Sequence, residues 1–467
     1  MRKLLARFDL SYLYALLGEA TLALTLGFYI ILARELGPED YGVFAAAVAL
    51  AAILSLVIQF GLPPFINREV AAHPEEGQRL TARVLLIELL SSGGVLLILP
   101  LIISLLGYQN QGALVYYLAV LSEIGRVLIM TMRSVMKGMG WFRTETVAVT
   151  LERATTVFIA YGILLQTKNL ILVMATVAIV RGMVALGLFL YLSQKLNIWS
   201  KVSWRSLINI TRKSYPFALS GVLWIIYYQV DVVMLNVLSS EAETGFYSAS
   251  YRILEIFSAL PRVIFYVIFT RFARYYISAP ERLPEQIYKG TRLLFGLVMP
   301  TILIAGFLQE PLIKILYGEE FSRSILSLSI LLPSITVKMV GGISNEFCQA
   351  TGQEKKLPGI LLVAAIANVA INGALIPRFG SGGAALATFI SECILTTLSL
   401  WILGKIGYPK VSTRLRWLAL LGLGVTVIPC LLVLTEFPLS LGIGIVLGGC
   451  IAILALLQPR YFPGLEP

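Results

Sequence analysis

Apolar runs of about 20 residues, each long enough to cross the hydrocarbon core of a bilayer as a helix, follow one another along almost the whole chain. A backbone at that depth must satisfy its own hydrogen bonds, so such runs admit an all-α polytopic membrane protein and little else. Composition agrees. With 467 residues, 58% hydrophobic and only 13% charged, the chain carries more apolar surface than a soluble core of this length would hide. The runs mark about fourteen spans. The first seven cover 12–34, 41–63, 84–106, 112–132, 146–166, 169–192 and 215–238. The second seven cover 245–271, 290–313, 324–350, 357–377, 383–403, 416–436 and 439–457.

The net charge of +11 raises the question of nucleic acid or an acidic partner. Its distribution answers it. With the N-terminus placed in the cytoplasm, Lys and Arg crowd the inner segments, and only Arg34, Lys168, Lys314, Arg323 and Arg378 fall in outer loops. This asymmetry is that of a multi-pass cell-membrane protein with both termini cytoplasmic, and it argues against nucleic-acid binding. Cys348, Cys393, Cys430 and Cys450 lie within spans and lack metal-type or redox spacing, so they read as small apolar-phase residues. Arg2, Lys3 and Arg7 precede an apolar run too long for a signal peptide, which implies an uncleaved first span. No soluble domain is expected.

The stretch YLYALLG (Tyr12 to Gly18) with its following turn LGPEDYGVFAA (Leu36 to Ala46) returns as YPFALSG (Tyr215 to Gly221) with SSEAETGFYSA (Ser239 to Ala249). In constant register Tyr12, Ala15, Leu16, Gly18, Gly42 and Ala46 meet Tyr215, Ala218, Leu219, Gly221, Gly245 and Ala249, while Phe44 meets Tyr247. A parallel repeat of this size places a substrate path between two lobes in several transporter folds. The expected division is an N-terminal lobe over 1–192, a linker over 193–214, a C-terminal lobe over 215–403, and two extra spans with a tail over 404–467. In the linker Lys195, Lys201, Arg205, Arg212 and Lys213 alternate with Trp199, Trp204, Leu207, Ile208 and Ile210, a pattern suited to a helix lying at the inner headgroups. Pro261, Pro300, Pro333 and Pro429 sit well inside spans, where bends are expected.

Ionisable side chains at hydrocarbon depth cost several kcal/mol unless they find a partner, a cavity or water. The first lobe holds Glu19, Glu123, Arg126, Glu152, Arg153 and Arg181, with Glu88 nearer the inner edge; the second holds Asp231, Arg252, Glu255, Arg262, Lys338, Glu346 and Glu392. Glu123 and Arg126 share a helical face, as do Arg252, Glu255 and Arg262, and spans four and five are expected to pair across. One reading makes these groups helix-locking ion pairs. The other assembles Arg126, Arg153, Arg181, Arg252 and Arg262 into a cationic cavity suited to phosphate or carboxylate, with Glu19, Glu123, Glu255, Lys338 and Glu392 as proton-carrying or pairing groups.

Asp231, Asn368, Asn372 and Thr388 all lie in the outer half of the second lobe, Asn368 and Asn372 on one helical face. One carboxylate with amide and hydroxyl oxygens suits a Na⁺ or H⁺ coupling site, although Arg252 competes as a partner for Asp231, and polar groups also serve as glue between helices.

LGPEDYGVF after the first span, Gln59-Phe60-Gly61-Leu62 ending the second, and YYQVDVVMLNVL in the seventh resemble the polysaccharide transporter family of lipid-linked oligosaccharide flippases, within the multidrug/oligosaccharidyl-lipid/polysaccharide exporter superfamily. The resemblance extends over the whole chain. It implies two six-helix bundles around a central cavity that opens alternately to each side, turning over an undecaprenyl-diphosphate-linked sugar held by arginines. It also implies membrane lipids and polysaccharide polymerase or assembly proteins as partners. The lipid II flippases of the superfamily bear a Na⁺ site to which Asp231, Asn368, Asn372 and Thr388 are similar by position, with Asn372 standing where that branch has a carboxylate. Their cavity arginine on span eight is matched most nearly by Arg252. Glu19, in place of an embedded arginine in the first span, argues against lipid II as substrate.

A glycosyltransferase would need acidic residues on a substantial outer loop, and Glu35, Glu39 and Asp40 occupy a connector of a few residues. The lone histidine, His73, falls in an inner loop, and no GxxxxGK[ST] motif is present, so an enzyme is not expected and transport must draw on an ion gradient or the membrane potential. No cofactor is expected beyond that ion. A multidrug antiporter is the closer rival, and cavity charge separates the two, since cationic drugs favour acidic, aromatic walls. The repeat is broken where charge matters: Phe28 stands opposite Asp231, and Ala49 opposite Arg252.

Overall fold

The computed structural model describes residues 21–108, 112–196, 202–435, 447–451 and 453. Among the described residues it is all helical, without a strand. Eleven helices there are long and apolar enough to cross a membrane. The chain divides into two compact units, Met1–Val237 and Leu238–Pro467.

The first unit contains α1 (Leu22–Gln59), α2 (Leu62–Ala72), α3 (Pro74–Leu105), α4 (Ala113–Gly138), α5 (Phe142–Thr167), α6 (Leu170–Lys195) and α7 (Trp204–Leu238). The first two expected spans are the two arms of α1. Gly37 has φ 78° and ψ 175°, a backbone state open to glycine, and Pro38 supplies no N–H to the ladder. The turn expected over Leu36 to Ala46 therefore shrinks to a hinge at Gly37-Pro38, with helix on both sides. A second sharp turn separates α1 from α2. Gly61, at φ +70°, lies so close to α7 that a Cβ there would meet the Ala218 amide nitrogen at 2.5 Å.

α4 is the hub of this unit, packed against α1, α2, α3, α5 and α6. In its C-terminal half Ile129, Met132, Val135 and Met136 join Leu62, Phe65 and Val70 of α2, Val84 and Leu85 of α3, and Leu207 and Ile210 of α7 in one buried cluster. The expected headgroup helix over the linker takes another form. Residues 197–201 lie outside the described residues, and from Trp204 the chain is already α7, one helix through Pro216 to Leu238. Leu207 and Ile210 are buried, while Trp204 and Ile208 stay exposed, so the first turns of this long helix are amphipathic.

The second unit contains α8 (Glu241–Ser278), α9 (Leu283–Phe307), α10 (Gln309–Tyr317), α11 (Ser324–Ala350), α12 (Leu357–Lys405) and α13 (Pro409–Thr435). Its hub is α11, which contacts α8, α9, α10, α12 and α13. The eleventh and twelfth expected spans are the arms of α12, joined at Gly380 (φ 53°, ψ −130°). The new helix start after that hinge is held from α8: the Ser381 N–H donates to Glu243 Oε2 (2.7 Å), whose other oxygen pairs with Arg323 (2.8 Å). Ninth-span residues end at Phe307, and the rest of that expected run forms the short α10. Pro261, Pro300, Pro333 and Pro429 are all inside helices that continue through them. The fourteenth expected span, 439–457, lies mostly outside the described residues.

Candidate functional site

In the first unit the close approach of α4 and α6 decides which charges meet. Gly125 makes it possible, because a Cβ there would sit 3.1 Å from the Arg181 Cβ and 3.2 Å from its carbonyl carbon. Arg181 is thereby set among Ser122, Glu123 and Glu152: Nε lies 3.3 Å from Glu152 Oε1, and Nη1 donates to Ser122 Oγ at 3.4 Å. One helical turn along α4, Arg126 holds Glu123 with two bonds, Nε to Oε2 at 2.8 Å and Nη2 to Oε1 at 2.5 Å. The charge of Arg181 acts on the same carboxylate. Two acids and two bases on α4, α5 and α6 therefore form a formally neutral cluster. That neutrality matters, since each unpaired charge at the centre of a span costs about 2.5–3.5 kcal/mol or more.

Spans four and five were expected to pair with each other. The direct bond of Glu152 instead goes past α4 to Arg181 on α6, while Glu123 is taken by Arg126 on its own helix. Arg153, one residue and about 100° further round α5, points away and donates from Nη1 to Thr21 Oγ1 of α1 at 2.9 Å. Glu19 lies outside the described residues.

Charges in the second unit are spread more widely. Arg252 Nη1 is 2.6 Å from Glu255 Oε2 on the same helix. Arg262, beyond Pro261, is exposed, and among the described residues it has no ion pair. Lys338 of α11 reaches Glu392 of α12 at 3.5 Å, with Glu392 buried. Of the expected ion ligands, Asn368 and Asn372 are buried and joined by an amide hydrogen bond of 3.0 Å. Thr388 is buried on the second arm of α12, its hydroxyl 2.9 Å from that of Tyr247. Asp231, also buried, belongs to α7 in the first unit. Tyr247 was passed over as a site residue, although the repeat marked it: its counterpart Phe44 lacks the hydroxyl that Thr388 meets.

Glu88 was noted only as an inner-edge charge. It is fully buried on α3, with Thr131 Oγ1 donating to Oε1 at 2.5 Å. Nothing in the sequence distinguished it from an interfacial residue, because depth along a 32-residue helix is fixed by what packs on it. Where α8 ends and α9 begins, Arg271 and Arg274 of α8 with Gln286 and Lys289 of α9 line a cavity of about 440 Å³. Its donors suit a phosphate or other anionic headgroup. An apolar groove of about 550 Å³ between α3, α4 and α6 includes Leu121, Gly125, Ile179 and Gly182. Glu310 of α10 and Glu319 just beyond its end hold the ammonium of Lys314 above its ordinary range.

The profile of the polysaccharide biosynthesis protein family matches residues 12–276, more than half of the chain. The chain belongs to this family. Among relatives of the family member, a protein of Haloferax volcanii named as a probable low-salt glycan biosynthesis flippase, Agl15, is 25% identical over 376 residues, covering 78% of this chain and 77% of that protein. A protein of Escherichia coli named as a candidate O-antigen transporter is 22% identical over 416 residues, covering 85% of this chain and 96% of that protein. Among solved structures, the lipid II flippase MurJ in an inward closed conformation aligns with a TM-score of 0.69 at 14% identity, covering 97% of this chain and 99% of that one. A multidrug resistance transporter of the MATE family in an inward-facing conformation aligns with a TM-score of 0.62 at 17% identity, covering 85% and 95%. The family member thus has the fold of the exporter superfamily that the sequence resembles.

Proposed function

We propose that this member of the polysaccharide biosynthesis family is a flippase that turns over a lipid-diphosphate-linked oligosaccharide, of the undecaprenyl-diphosphate class, by alternating access in the cytoplasmic membrane. The reading is supported by one relative named as a probable glycan biosynthesis flippase, another named as a candidate O-antigen transporter, and the superfamily fold. The observation that carries it is the state of two arginines at membrane depth. Arg126 and Arg252 are each fixed by a carboxylate one helical turn away, yet their side chains remain 36% and 22% exposed. A partly exposed guanidinium can present N–H donors to a phosphate, whereas an acidic wall would suit a cationic drug. Arg153, Arg181 and Arg262 extend the same cationic set.

Both termini are placed in the cytoplasm, polysaccharide polymerase or assembly proteins are the natural partners for the delivered unit, and no catalytic step is assigned. Transport draws on an ion gradient or the membrane potential, with Asp231, Asn368, Asn372 and Thr388 as the Na⁺ or H⁺ ligands. Reconstitution of the full chain in liposomes with a fluorescent lipid-linked oligosaccharide tests the function. Protected fluorescence should move to the opposite leaflet; absence of flipping together with extrusion of cationic dyes would assign the chain to multidrug export instead. Asp231→Asn should abolish any Na⁺ or H⁺ dependence of the rate, and full retention of that dependence removes Asp231 from the ion site.

A further inference from the structure

The buried carboxyl of Glu88 has a solvation that fits a neutral acid and not an anion. It sits about four turns into α3, with no accessible surface. One hydroxyl, that of Thr131, meets Oε1, and Oε2 has no hydrogen-bond partner. An ionised carboxylate offers about four lone-pair sites and needs donors or a counter-charge when buried. Val84 and Leu85, one turn back on α3, and Ile129 and Met132, near Thr131 on α4, belong to one buried apolar cluster.

The charged groups on every packed element are engaged elsewhere or distant. On α2, Arg68 pairs with Glu69. On α4, Arg126 holds Glu123, while Arg133 and Lys137 hold Glu145. On α3 itself, Arg83 donates to Ser206 of α7, and Glu75 and Arg79 lie two or more turns nearer the helix start. Arg34, Glu35, Glu39 and Asp40 of α1 cluster around the Gly37-Pro38 hinge, at the other end of its second arm. Arg205, Arg212 and Lys213 occupy the first turns of α7, and among the described residues none forms an ion pair with Glu88. One residue round the helix, Ile87 lines a cavity of about 500 Å³ together with Leu90, Ser91, Arg212 and Tyr215. The edge of that cavity, which Trp204, Leu207 and Ile208 also line, therefore comes within a turn of the carboxyl.

We propose that Glu88 is a proton-binding site. With the proton on Oε1 the bond to Thr131 reverses, the hydroxyl turning to accept from the carboxyl O–H, and Oε2 becomes a neutral carbonyl oxygen. The proton leaves to water when a rearrangement of α3 against α4 and α7 opens the carboxyl to that cavity. Lower pH then favours the conformation described here. Coupling of this step to transport rests on the flippase reading above; the proton itself does not.

The test is infrared difference spectroscopy of the full chain in lipid nanodiscs, wild type against Glu88→Gln, across about pH 5–9, a range that lies above ordinary carboxyl titration and spans that of histidine. At neutral pH the wild type should show a carbonyl band of an un-ionised carboxylic acid that Glu88→Gln lacks. Thr131→Val, which keeps the acid and removes its partner, should shift that band. A wild type without the band, a Glu88→Gln spectrum that retains it, or a Thr131→Val spectrum in which it is unmoved would each overturn the site. In the liposome assay a single linked proton changes the rate by up to about tenfold per pH unit, and Glu88→Gln should flatten that slope. An unchanged slope with the band lost would overturn the coupling. A chain that flips no glycan lipid but keeps the band difference upholds the proton site while the transport reading falls.

Discussion

Removing Arg181 should damage the first unit far more than removing its whole ion pair. Its side chain is 17% exposed and that of Glu152 8%, so Arg181→Met leaves a carboxylate that water cannot reach. Breaking one partner of a buried pair costs about 3–5 kcal/mol, whereas replacing both by groups of similar volume is often neutral or better. The lower end applies here, because Arg126 also acts electrostatically on Glu152. For a unit of this size each kcal/mol moves the melting temperature by about 2–4 °C, so Arg181→Met should lower it by roughly 6–12 °C. Arg181→Met with Glu152→Gln should return to within about 2–4 °C of the parent. Scanning fluorimetry in mild detergent measures both, with Glu152→Gln alone completing the cycle. If the single Arg181→Met variant melts no lower than the double variant, the two residues do not stabilise each other and the neutral-cluster argument is wrong. The liposome assay then separates two roles. A stable double variant with no flipping assigns Arg181 to the substrate, and one with normal flipping assigns it to the scaffold.

Two further expectations concern the second unit. Gly380→Ala should be destabilising by about 1–3 kcal/mol, because φ 53° with ψ −130° is strained for any L side chain, and the new Cβ would lie 2.5 Å from Glu243 Oε2, the oxygen that caps Ser381. A melting temperature equal to the parent's would mean that the hinge relaxes freely. The difference in melting temperature between Lys314→Ala and the parent should stay constant from about pH 6 to pH 9, well below the ordinary lysine range. With Glu310 and Glu319 raising its pKa, the charge of Lys314 is fully present below that ordinary range and any contribution is lost only as pH rises through the raised value. A pH-dependent difference between Lys314→Ala and the parent in that window contradicts this.

Local spacing revealed the pairs that a single helix makes. Glu123 with Arg126 and Arg252 with Glu255 follow from three-residue separation, and both form. Pairs between helices did not follow, because Glu152 and Arg181 meet only where Gly125 lets α4 and α6 touch, and a helical glycine looks the same in sequence whether or not a backbone lies against it. Gly93 and Gly94 have nothing within contact of a notional Cβ, although they are helical glycines of the same unit. Hinges were half legible. Gly37-Pro38 carries two breakers in succession, but its helix resumes at once, because Glu39, Asp40 and Tyr41 have no reason to stay irregular once the turn is made. Glu88 was misjudged since hydropathy counts charge without asking what solvates it, and the answer lies in Thr131, 43 residues away.

Pairing also determines which groups can sense voltage. A transmembrane potential acts on net charge that moves, at about 2.3 kcal/mol per elementary charge per 100 mV. Glu123 with Arg126, Glu152 with Arg181, and Lys338 with Glu392 each carry no net charge, so a pair that moves together feels almost none of this. Arg262 differs: it lies within α8, it is exposed, and among the described residues no carboxylate pairs with it. If helix α8 shifts across even a third of the field during a transport cycle, Arg262 contributes about 0.8 kcal/mol per 100 mV, roughly a fourfold change in the equilibrium between conformations. Arg262→Gln should therefore weaken the dependence of flipping on an imposed potassium-diffusion potential by about that factor per 100 mV, while Arg181→Met with Glu152→Gln leaves it intact. Equal voltage dependence in Arg262→Gln and the parent would mean that the charge stays still in the field, and the sensing group would have to be the coupling ion itself.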